Sequence, residues 1–80
     1  MTKQEQAENA MSELRKKNPK CARKIDEYAS CLKEMADAGR DNSHSYDRVW
    51  HEAYGYIIAL LDAHIIPLGD KNRILDYIGM

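Results

Sequence analysis

Eighty residues support one hydrophobic core and no more, so the chain is read as a single domain over 1–80. Its 44% apolar and 31% charged residues exclude an intrinsically disordered polymer, and a formal net charge of −1 excludes a uniformly basic or acidic one. The charge is nonetheless uneven: residues 1–40 hold nine Lys or Arg against seven Asp or Glu, and residues 41–80 hold three against six.

The first ten residues are polar, which is not the pattern of a signal peptide. Thr2 and Glu5 have the spacing of a capping box, and Ala7, Ala10, Met11 and Leu14 then recur at helical intervals. This predicts a first helix over 2–17 with a weak apolar stripe, expected to fray. Asn18 before Pro19 ends it, because the residue before proline is driven out of the helical region. The same pair opens a second helix over 19–38, with Asn18 as N-cap and Pro19 at the first helical position. Here Cys21, Ile25, Tyr28, Leu32 and Met35 draw one narrow seam along a polar rod. Gly39 stops the helix, since glycine takes the left-handed conformation without steric cost.

Asn42 or Ser43 caps a third helix over 44–64. Tyr46, Val49, Trp50, Ala53, Tyr54, Ile57, Ile58, Leu60, Leu61 and Ile65 spread over about half its circumference at roughly 100° per residue. The pattern places this helix at the centre of the bundle, with Trp50, Tyr54, Ile57 and Leu61 in the core. Gly55, Ala59 and Ala63 form a second stripe of small residues, with Tyr56 beside it, and Gly55 suggests that another backbone comes close. These four positions are the expected interface. A longest apolar run of nine residues, Ala53–Leu61, falls far short of the roughly 20 that a membrane span requires. Pro67 then separates a short fourth helix over 68–78, whose Ile74, Leu75 and Ile78 face inward in an antiparallel pair with the third. The expected fold is thus all-α, a small bundle of about four helices.

The segment Leu61–Ile66, followed by Leu75, Tyr77 and Ile78, resembles the short helical hairpin of SHOCT-type segments and of small accessory proteins of phages and mobile elements. His64 and Pro67 stand where that hairpin usually has a glycine and a Ser or Thr cap. The resemblance implies an accessory or inhibitory role toward a host protein.

No set of residues promises chemistry. His44, Asp47 and His51 are the nearest approach to a metal site, but seven residues of helix separate the histidines by about 10.5 Å, too far for both to bind one ion. Cys21 and Cys31 lie roughly 15 Å apart on one helix, which excludes a disulfide between them and fits reduced thiols in a cytoplasmic protein. No catalytic residues, metal or cofactor are expected. The one strong charge signal is Arg15, Lys16, Lys17, Lys20, Arg23 and Lys24, six of the twelve basic residues within ten positions that hold no acid. Cations are favourable at the end of the first helix through its dipole, which accounts for part of the cluster. The reading that follows is a non-enzymatic interaction protein, a homo-oligomer that also occupies a surface of a protein partner. The alternative is a nucleic-acid or anionic-ligand binder acting through the basic corner at 15–24.

Overall fold

The computed structural model describes residues 1–79 and consists of four helices: α1 (Lys3–Lys17), α2 (Pro19–Asp37), α3 (His44–Asp62) and α4 (Leu68–Gly79). The starts of α1, α2 and α3 are each satisfied by a side chain near them in sequence. Thr2 Oγ1 accepts from Glu5 N at 3.1 Å while Thr2 N donates to Glu5 Oε1 at 3.3 Å, completing the capping box. Asn18 serves two helices: its N–H donates to Leu14 O at 2.7 Å, closing α1, and its Oδ1 accepts from Cys21 N at 3.3 Å, opening α2. Ser43 Oγ accepts from Tyr46 N at 3.1 Å and opens α3.

Two helix ends use the same device with different residues. After α2, Gly39 at φ 74° lets Arg40 N reach back to Met35 O at 2.8 Å. After α3, His64 at φ 60° does the same work, with Ile65 N donating to Leu60 O at 2.9 Å. These long return bonds are the Schellman pattern, and they occupy carbonyls that a helix end leaves without partners. They also end α3 at Asp62, two residues before the limit expected from its apolar periodicity. His64 carries the Cβ that the left-handed region disfavours.

The core is wholly apolar among the described residues. Ala10, Met11 and Leu14 from α1 meet Ala22, Ile25 and Leu32 from α2, Ala53, Ile57 and Leu60 from α3, and Ile66, Ile74 and Ile78. The α2 seam lies where expected, with Ile25, Leu32 and Met35 buried and Cys21 and Tyr28 half-buried, and Ala22 joins it.

The packing of the helices departs from expectation in two ways. First, α1 is not a loosely held appendage: Ala7, Ala10, Met11 and Leu14 are all buried, and α1 lies along α4 in the most extensive helix contact of the fold. Small side chains at Ala7 and Ala10 allow that approach. Second, α3 is not central. Its backbone runs close to α2 and α4 but not to α1, which it meets only through side chains of the shared core, and its backbone contact with α4 is the least extensive of those present, so the two do not form the tight pair predicted. A three-way polar link ties the other helices together outside the core. Tyr77 OH donates to Asp26 Oδ1 at 2.6 Å, and Arg15 Nη2 donates to both oxygens of Asp26 at 3.1 and 3.3 Å and to Tyr77 OH at 3.2 Å.

Two substitutions test this packing. Ala7→Leu, which forces a larger side chain between α1 and α4, is expected to lower stability by about 1–3 kcal/mol in chemical denaturation. His64→Gly, which removes a Cβ from a left-handed position, is expected to raise stability by about 0.5–1 kcal/mol, read as an increase of several degrees in thermal midpoint.

Candidate functional site

The two flanks of α3 differ in how far the bundle covers them. Ala53, Ile57 and Leu60 point into the bundle, and the flanks follow from rotation about that direction. Tyr54 and Tyr56 differ by about 200° around the helix, so they emerge on opposite sides.

On one side, Tyr56 turns toward α2. Its ring lies 6.0 Å from that of Tyr28, tilted by 56°, and the Cys21 thiol is beside its hydroxyl. Burial, followed by the neighbouring Cys21 and Tyr28, pushes the Tyr56 phenol up to about 12. Tyr56 is therefore held by the chain itself, not left over for a partner as the sequence reading expects. The other three positions of that stripe, Gly55, Ala59 and Ala63, are exposed. No atom lies within 4 Å of where a Gly55 Cβ would stand, so within this chain the glycine admits no close backbone.

On the other side the predicted core is open. Tyr54 is 45% exposed, and Trp50, Ile58 and Leu61 are only partly covered. The Trp50 and Tyr54 rings sit 6.4 Å apart at a tilt of 43° and, with Asp47, His51 and Gly55, form the walls of a shallow apolar depression. Ile58 and Leu61 continue this strip at helical spacing. Leu61 in turn borders a surface groove with Ile65, Pro67 and Leu68, the last of these 69% exposed, and Lys17, Asp62 and His64 form its polar rim. The result is an uncovered apolar band from Trp50 to Leu68 on the outer flank of α3 and the turn that follows it. The half-circumference of apolar residues in the sequence was the signal for it; the missing information was which edge the bundle leaves open.

The basic cluster is divided by the fold. Arg15 is committed to Asp26 and Tyr77, and Lys16 lies 3.8 Å from Glu13 on its own helix. Lys17, Lys20, Arg23 and Lys24 are exposed, and the Lys24 ammonium rests over the Tyr28 ring, 5.0 Å from its centre. His44, Asp47 and His51 do not converge: no group of three metal-capable side chains comes together among the described residues. Cys21 and Cys31 are free and half-buried. No described helix is long and apolar enough to cross a membrane.

Comparison of the chain with protein-family models, curated proteins and solved structures gives no match. Any functional reading therefore rests on the surfaces just described.

The placement of Tyr56 has a direct spectroscopic consequence. An unfolded phenol ionises near pH 10, whereas the folded Tyr56 keeps its proton to about pH 12. Between these values the unfolded chain binds fewer protons, so folding stability is expected to fall across that window. Alkaline ultraviolet titration of the folded protein should show late-ionising phenol from Tyr56 and Tyr77, and Tyr56→Phe should remove the component near pH 12.

Proposed function

We propose that this protein works by binding rather than by catalysis: it self-associates and occupies a surface of a macromolecular partner through the outer flank of α3. The observation that carries the reading is the exposure of Tyr54 beside Trp50, within a band that continues through Ile58 and Leu61 to Leu68. Tyrosine and tryptophan bury large areas at low cost in side-chain freedom and anchor protein interfaces at their centres. A band of this length on so small a chain exceeds the scattered apolar residues that any surface carries. The resemblance of the Leu61–Ile78 hairpin to phage and mobile-element accessory proteins makes an inhibitory role toward a host protein the reading we favour for the partner. Free Cys21 and Cys31 suit a reducing, cytoplasmic setting.

Sedimentation across a concentration series, paired with circular dichroism, tests the proposal. Wild type should associate with increasing concentration, and Tyr54→Glu with Ile58→Glu should be monomeric with unchanged helicity. Loss of a central aromatic anchor corresponds to about 2 kcal/mol, roughly a 30-fold weaker association constant. A wild-type protein that stays monomeric throughout, with the double variant indistinguishable from it, overturns the assignment.

A further inference from the structure

We infer that the exposed corner where α1 ends and α2 begins is a second binding surface, one that contacts the phosphates of a nucleic acid without reading its sequence. The inference starts from which cations the fold leaves free. Of the six in positions 15–24, Arg15 and Lys16 have carboxylate partners. Lys17, Lys20, Arg23 and Lys24 form no ion pair with any carboxylate among the described residues. This holds although Glu27 lies one helical turn beyond both Arg23 and Lys24, a spacing at which opposite charges often pair. Lys24 turns to the Tyr28 ring instead, a contact that restrains the long side chain while leaving its charge intact.

The kind of partner follows from what the corner lacks. Protein interfaces are organised around a desolvated apolar centre and are depleted in lysine. Here positions 16, 17, 20, 23 and 24 are all Lys or Arg, the neighbouring Cys21 and Tyr28 are half-buried, and the Tyr28 face is occupied by Lys24. Such a surface offers charge without an anchor. Phosphate backbones ask for little else, because each cation that neutralises a phosphate releases condensed counterions. Lys20 and Lys24 are separated by about 6 Å along α2, close to two nucleotide steps of roughly 3.4 Å. Asn18, the one amide at the corner, is engaged in capping α2, and the free groups are cations that phosphates satisfy, so the contact is assigned to the phosphate backbone and is sequence-tolerant.

Fluorescence anisotropy of the full chain with a labelled random-sequence DNA duplex, titrated at several salt concentrations, tests the inference. Four phosphate contacts predict a slope of log affinity against log salt of roughly −3.6. Lys20→Glu with Lys24→Glu should reduce affinity at low salt by at least about tenfold and flatten the slope by about two. Lys17→Glu with Arg23→Glu should act similarly, giving a second reading should the first variant fold poorly. Lys33→Glu with Lys71→Glu changes net charge equally at positions outside the corner and should leave both quantities near wild type. The inference is overturned by any of three results: no binding at the lowest salt, equal loss from corner and control pairs, or displacement by polyglutamate as effective as by unlabelled duplex. The last of these would identify an acidic protein as the ligand.

Discussion

The close approach of α1 to α4 governs how the rest of the chain is arranged. Ala7 and Ala10 are small enough to let the two helices lie together, with Met11 and Leu14 filling the space beyond them. That contact takes up much of the surface α4 has to offer. Because α2 also packs on α4, the backbone of α3 is left with α2 and the remaining edge of α4, and it meets α1 only through side chains of the shared core. A helix with apolar residues over half its circumference thus sits at the periphery, where two neighbours cover only part of it. The uncovered band through Tyr54 follows from how the bundle closes on its other side, and is not a local irregularity of α3.

The polar link among Arg15, Asp26 and Tyr77 has a comparable double effect. It joins α1, α2 and α4 at one end of the bundle through charge-assisted hydrogen bonds, in a setting exposed enough for solvent to screen much of the attraction. Burial and the hydrogen bond to Asp26 raise the Tyr77 phenol above its ordinary range, so the donor keeps its proton throughout neutral conditions. The link also withdraws Arg15 from the basic cluster. The four remaining free cations are therefore displayed on a defined corner of the bundle.

What the sequence disclosed and what it withheld divide along the reach of the interactions involved. Thr2, Asn18 and Ser43 act on amides three residues away, and Gly39 closes a turn of its own helix, so the number of helices and nearly all their limits were legible. The burial of Ile25, Leu32, Ile74 and Ile78 was equally plain, because those helices carry narrow apolar seams with a single possible inward direction. On α3 the apolar arc is too broad to have one. A rotation of some tens of degrees exchanges Tyr54 for Tyr56 at the edge of the core, and that rotation depends on which helices arrive from elsewhere in the chain. Residue identity fails at His64, which assumes the left-handed backbone usually left to glycine. The basic corner was visible as a run of charge, but the withdrawal of Arg15 required a carboxylate and a phenol from two other helices.

The two candidate surfaces differ in physical character as well as in place. Tyr56 turns toward Tyr28 and, through it, toward Lys24, so the α2 side of α3 leads to the cationic corner. Tyr54 lies about 200° around the same helix, and its flank leads toward Leu61 and Leu68, where Lys17 borders the groove. Occupying the apolar band removes area from water, an attraction that salt weakens little. Occupying the corner neutralises phosphates, an attraction that salt weakens steeply. The two surfaces adjoin at Lys17, which belongs to the cationic corner and also lines the groove beside Leu61 and Leu68. Under the two proposals above, ionic strength distinguishes the two contacts within one molecule.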